Sequence, residues 1–182
     1  REIRRTHFSS ADRSLERWQE SLLVGSGIQA QRSTEEGIKQ RDLIVVQVRR
    51  GSQEQTRKRQ LSPALLGIYL PRAFGMVLPR LVNLDEKQAY GFSTYTTAAN
   101  DFDMRTFTVR ETETITIGSR EVKAIHATDQ AAADAEPADL WVDAEGVLLR
   151  MTTGDGLKME ETTRSAVLRR FPEDEAKIRL LK

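Results

Sequence analysis

Between Arg105 and Ile117 the chain alternates strictly. Phe107, Val109, Glu111, Glu113, Ile115 and Ile117 occupy the odd positions, and Thr106, Thr108, Arg110, Thr112, Thr114 and Thr116 the even ones. A period of two over such a length demands a β-strand, because successive side chains then point to opposite faces of a sheet. The flanking segments read the same way. "AYGFSTYTT" sets Tyr90, Phe92 and Thr94 against Gly91, Ser93 and Tyr95, Asn100-Asp101 turns the chain, and Gly118-Ser119 turns it into Glu121 to Thr128. Two hairpins follow in "LWVDAEGVLLRMTTGDGLKMEETT", Leu140 to Thr163, whose last strand is expected to run to Phe171. Asp143 there opens a type I turn and Gly146 supplies a positive φ, and Gly154-Asp155-Gly156 repeats the device. Strands joined in sequence by short turns predict an antiparallel meander.

The first half is less uniform. "DLIVVQVRRGSQEQTRKRQL" predicts a hairpin with an apolar arm, a Gly51-Ser52 turn and a polar return arm from Gln53 to Leu61. Its basic residues between Arg49 and Arg59 suit either a phosphate-binding finger or a solvated edge blunted against pairing. Leu15, Trp18, Leu22 and Leu23 fall at helical spacing, so Asp12 to Val24 predicts an amphipathic helix, with an irregular strand as the alternative; Ile28 to Arg32 predicts a short strand. Ser62-Pro63 is a helix start, serine capping and proline at the first helical position. Pro71 and Pro79 then break the apolar run, predicting two or three short helical turns that bury Leu65, Leu66, Ile68, Leu70, Phe74, Met76, Val77 and Leu78. "DQAAADAEPAD" reads as a mobile loop, and "PEDEAKIRLLK" as a short tail or helix.

The whole predicts one domain over 1–182, α+β in class. A curved antiparallel meander of about seven to ten strands covers a proline-broken helical plug at 62–83, and 172–182 forms a C-terminal tail. A hydrophobic content of 38% beside 30% charged residues suits an open sheet with one solvated face. The net charge of +1 gives no general pull toward nucleic acid or an anionic membrane. The absence of cysteine excludes disulfides, thiolate zinc sites and cysteine nucleophiles. No run of 18 apolar residues suggests a membrane span.

Chemistry is sparsely marked. His7 and His126 stand far apart in sequence with no ligand spacing around them, and no nucleophile elbow or phosphate loop occurs. Neither a metal nor a cofactor is expected. Glu111 and Glu113, on one predicted strand face over apolar neighbours, could act as acid and base in a carboxylate-dependent hydrolase, or simply mark where a long strand meets water. Leu70, Phe74, Met76, Tyr90, Phe92, Tyr95, Phe107 and Trp141 could line an apolar ligand cavity or form an ordinary core.

The pattern resembles the half-barrel superfamily of bacterial lipoprotein carriers (LolA and LolB) and the sensor-binding RseB. The likeness covers roughly Ile28 to Phe171 and is carried by Trp141, Val142, Asp143, Gly146, Leu148, Leu149 and Arg150 of the late hairpin. It implies a periplasmic or outer-envelope location, with a signal or anchor removed upstream of Arg1. It also implies a cavity for acyl chains. The expected function is therefore non-enzymatic binding of a hydrophobic or lipid-like ligand, or of a lipoprotein acyl chain, in the bacterial cell envelope. The alternative is a protein-interaction or sensor module that docks a protein partner on a sheet face or strand edge.

Overall fold

The computed structural model describes residues 2–25, 30–75 and 77–170. They form antiparallel sheets with a few short helices. The strands divide between two sheets where the sequence predicts one. The first is β1 (Glu2–Ser9), β2 (Leu15–Val24), β3 (Gln31–Gln40), β4 (Leu43–Arg50) and β5 (Gln53–Gln60), in that spatial order. The second contains β6 (Ala89–Thr96), β7 (Asp101–Ile117), β8 (Arg120–Gln130), β9 (Ala138–Val142), β10 (Leu148–Thr152) and β11 (Lys158–Glu160), also in sequence order. Every neighbouring pair is antiparallel.

The predicted helix over Asp12 to Val24 is a strand instead. Glu16 and Trp18 are buried while Arg17 and Gln19 are exposed, a period of two; the spacing of Leu15, Trp18 and Leu22 matches a helix only by coincidence. Ser10 and Asp12 close the hairpin between β1 and β2: the Asp12 carboxylate accepts from the Ser14 N–H, and Arg13 takes a φ of 58°. The short strand expected at Ile28 to Arg32 starts at Gln31 and continues to Gln40, with Ile28 outside the described residues. The polar run "QRSTEEGIKQ" becomes a strand because it pairs on both sides, with β2 and β4. The β4–β5 hairpin lies where the alternation and Gly51-Ser52 place it.

The plug between the sheets is the predicted series of short turns: α1 (Pro63–Gly67), α2 (Arg72–Gly75) and a 3-10 turn (Leu78–Arg80). Ser62 caps α1, its hydroxyl accepting from the Leu65 N–H at 3.3 Å. The burial is more selective than expected: Leu70 and Leu78 are buried, but Leu66, Ile68 and Val77 are exposed, and Met76 lies outside the described residues. Between α1 and α2 the backbone joins the second sheet. Leu70 N–H donates to Ser93 O and Ser93 N–H to Ile68 O, so Tyr69 makes a parallel bridge to the free edge of β6. Alternation then sends Tyr69 toward the first sheet and Leu70 to the opposite face.

Three core clusters result. Trp18, Ile44, Val46, Leu61, Tyr69 and Tyr95 join the first sheet to the plug and β6. Leu70, Leu78, Phe107, Val109 and Ala127 fasten the plug to the other face of the second sheet, with Phe74, Tyr90 and Phe92 against them. Ile115, Ile117, Ala124 and Leu149, with Val122 and Trp141, make the third.

The alternation of β7 is interrupted. Val109 opposes Ala127 and Thr112 opposes Ile125, so Arg110 and Glu111 together face His126 in a β-bulge. The extra residue turns the odd positions over. Phe107 and Val109 pack with Ala127 in the second cluster, whereas Ile115 and Ile117 pack with Ala124 in the third, on the opposite face of the sheet. Alternation in sequence cannot reveal this, since a bulge inserts one residue without altering the pattern.

The late hairpins form as read. Asp143 accepts from the Glu145 and Val147 N–H groups, and Gly146 has a φ of 75°. Gly146 is also a close approach, because a Cβ there would lie 2.9 Å from backbone atoms of Pro79 and Arg80 in the plug. The final strand stops at Glu160 rather than running to Phe171, and Arg164–Arg170 is a helix, α3. The tail at 172–182 lies outside the described residues.

Candidate functional site

Register across the first sheet arranges one of its faces in rows, since directly opposed residues point the same way. From β1 to β5 the rows are Ser9, Glu16, Lys39, Ile44, Arg59; then His7, Trp18, Gly37, Val46, Arg57; then Arg5, Glu20, Glu35, Val48, Gln55; then Ile3, Leu22, Ser33, Arg50, Gln53. The first two rows contain the buried Glu16, Trp18, Lys39, Ile44 and Val46, covered by Tyr69, Tyr95 and Leu61. The last two rows hold exposed Ile3, Arg5, Arg50 and Gln53, and their central residues are only half-buried. The face is therefore half closed and half open.

A polar cluster marks the boundary. Glu16, fully buried, accepts from the Tyr69 hydroxyl and from the Arg72 N–H, each at 2.6 Å. Burial pushes its carboxyl above the ordinary value, with the two hydrogen bonds acting the other way. Lys39, opposite Glu16, donates to Arg13 O at 2.8 Å and lies over the Tyr69 ring; burial holds its ammonium below the usual value. Burial likewise raises the Tyr69 phenol, helped by the Glu16 charge. The Arg72 guanidinium stacks on Trp18 at 4.6 Å, pairs with Glu20 at 2.9 Å and Glu35 at 3.2 Å, and donates to Thr97. Glu35 also accepts from Trp18 Nε1 and from Thr97, each at 2.6 Å. His7 and Arg5 reach Glu20 from β1. The cluster thus ties β1, β2 and β3 to the plug and to the β6–β7 turn, with each carboxylate held by several donors.

Beyond Arg72 the open half carries three clefts that share residues. One, of about 630 Å³, lies among Leu22, Val24, Ala30, Ser33 and Arg50. A second, of about 150 Å³, meets it at Leu22 and Ser33 and is closed by Ile3, Arg5, Glu20 and Glu35. The third, of about 400 Å³, meets the first at Arg50 and runs along Val48, Gln53, Gln55 and Arg57. The floor is apolar at Ile3, Leu22, Val24 and Val48, the rim is polar, and four of the lining residues are arginines: Arg5, Arg32, Arg50 and Arg57. Such a surface can cover an extended apolar chain and orient a polar end.

The residues predicted to line a cavity are distributed over all three cores. Leu70, Phe74, Tyr90, Phe92 and Phe107 come together in the second cluster, Tyr95 lies in the first, and Trp141 packs beside the third. Met76 is outside the described residues. Trp141 stacks on His126 at 5.1 Å and donates to Glu113. Glu111 lies 3.9 Å from Lys87, so the two glutamates have separate partners. Sequence reasoning missed the open half because three of its four apolar floor residues, Ile3, Leu22 and Val24, lie in β1 and β2, where the sequence predicts a helix or no element; Val48 falls in the predicted β4 arm. The even spacing of Glu16, Trp18, Glu20, Leu22 and Val24 was the available signal.

No protein-family model, curated protein or solved structure matches the chain.

Proposed function

We propose that the chain is a non-enzymatic binding protein that holds a hydrophobic or lipid-like ligand, or a lipoprotein acyl chain, against the open half of the first sheet. The observation that carries the reading is the joined set of clefts over Ile3, Leu22, Val24 and Val48, beside a plug that covers only the other half of the same face. Covering a fully exposed Leu or Val side chain contributes about 1.5–3 kcal/mol, and burial of the ligand's own chain adds to this against the cost of association. In this reading the first sheet with its plug acts as a half-barrel. The location in the bacterial cell envelope belongs to the same proposal and is supported by the likeness of the Trp141 to Arg150 hairpin to that of the lipoprotein carriers.

The test is a titration with a fluorescent long-chain fatty acid. Leu22→Asp places a charge on the cleft floor and is expected to weaken binding by about tenfold or more. Leu148→Asp, at an exposed leucine on the second sheet, is the control and leaves binding unchanged. Equal binding by both variants and the parent chain contradicts the assignment of the site.

A further inference from the structure

We infer that the ligand of this face is a single-chain amphiphile with an anionic head, its tail over Leu22 and Val24 and its head between Arg50 and Arg57. The inference rests on the binding reading above and adds the chemistry of the head.

The charges on the open half are not balanced locally. Its carboxylates are satisfied: Glu20 is paired with Arg72, His7 and Arg5, and Glu35 with Arg72, Trp18 and Thr97. Glu54, which also borders the third cleft, is taken by Arg49 at 2.7 Å. The cations at the other end are left over. The Arg50 side chain forms no ion pair or hydrogen bond among the described residues, and it lines both the first cleft and the third; Arg32, which also lines the first cleft, likewise meets no carboxylate among the described residues. Arg57 donates to Gln55, Thr97 O and Ala98 O, and meets no carboxylate among the described residues. Arg50 opposes Gln53, four residues from Arg57 along β5, about 13 Å at a strand rise of ~3.3 Å per residue. Between them, on the same face, stand Val48 and Gln55.

Tail site and head site are therefore continuous through one residue. An apolar chain in the first cleft ends at Arg50, and the third cleft continues from there to Arg57. A guanidinium fork suits a carboxylate or a phosphate, whereas a neutral alcohol would bring neither cation a counter-charge. Charge complementarity selects an anionic head, and the adjoining apolar floor selects a chain attached to it rather than a free anion.

The test uses N-phenyl-1-naphthylamine, a neutral apolar fluorophore, displaced by decanoate, decyl phosphate, decanol or inorganic phosphate. The expected result is displacement by decanoate and decyl phosphate at concentrations about tenfold or more below that of decanol. In the Arg50→Gln, Arg57→Gln double variant that preference is expected to vanish, with decanoate and decyl phosphate falling to the potency of decanol. Equal potency of decanol and decanoate on the parent chain overturns the anionic head and leaves the apolar site standing. Displacement by inorganic phosphate as strong as by decyl phosphate overturns the amphiphile in favour of a small-anion site. Failure of the fluorophore to bind, with no ligand bound by calorimetry, overturns the underlying reading as well.

Discussion

Replacing Gly37 by alanine is expected to destabilise the fold by about 3 kcal/mol, an unusually large effect for one added methyl group. Gly37 lies opposite Trp18 in the β2–β3 ladder, and the indole lies across it. A Cβ built on Gly37 would fall 2.0 Å from both Cε2 and Cζ2 of the ring. The ring has nowhere to go: Arg72 stacks on it, Glu35 holds its Nε1, and Tyr95 packs at 6.1 Å. Elsewhere in a strand, glycine to alanine stabilises by about 0.5–1 kcal/mol through backbone entropy, so the sign itself is diagnostic. Gly91 in β6 provides the contrast, since a Cβ there meets only Met104 Cε at 3.7 Å. Urea unfolding of the two variants is expected to show a much lower midpoint for Gly37→Ala and little change for Gly91→Ala. A neutral Gly37→Ala contradicts the packing of Trp18 described above.

The second large effect centres on Glu16. Glu16→Ala leaves the Tyr69 hydroxyl and the Arg72 N–H without their acceptor and removes the carboxylate opposite Lys39. The expected cost is about 3 kcal/mol. Glu16→Gln keeps one acceptor oxygen and is expected to cost about 1–2 kcal/mol. The pH dependence separates the charge from the hydrogen bonds. Burial raises the folded-state value of Glu16 above its ordinary 4.5, so the folded chain keeps this proton to higher pH than the unfolded chain does. Its contribution to stability is therefore fully present below about 4.5 and is lost as pH rises through the folded value. Lys39 has the opposite sign in a separate, alkaline window: its lowered value makes stability rise with pH up to its ordinary 10.5. Urea midpoints measured from pH 4 toward neutrality are expected to lose a downward component in Glu16→Gln relative to the parent chain. Parallel profiles for the two proteins contradict a carboxyl whose value burial raises above the ordinary one.

The parts of this fold legible in the sequence are those governed by local chemistry. Ser62-Pro63 opens α1, the prolines cut the plug, and Gly51, Gly146 and Gly156 turn hairpins at positive φ. The parts that escaped are set by partners distant in sequence. β1 and β3 hold few residues that favour strands, and they extend because β2 and β4 offer hydrogen bonds. Arg110 and Glu111 share one opposing residue, and that bulge, invisible to alternation, moves Ile115 and Ile117 to the other face. The candidate site was obscured for a related reason. Nothing in the sequence around Glu16, Glu20, Glu35 and Lys39 marks them for burial, yet they cluster on an inner face because Arg72, Tyr69 and Thr97 arrive from the plug and the β6–β7 turn. The aromatic residues that suggested a cavity lie instead in cores on both faces of the second sheet.

The most direct test of the binding account is a residue-resolved map of decanoate on the isotope-labelled chain by two-dimensional NMR. The account predicts saturable shifts of the amide and side-chain signals of Ile3, Leu22, Val24, Ser33, Val48 and Arg50, with the signals of Phe107 and Trp141 unmoved. Shifts centred on Tyr90, Phe92 and Phe107, or no saturable shift anywhere, would contradict it.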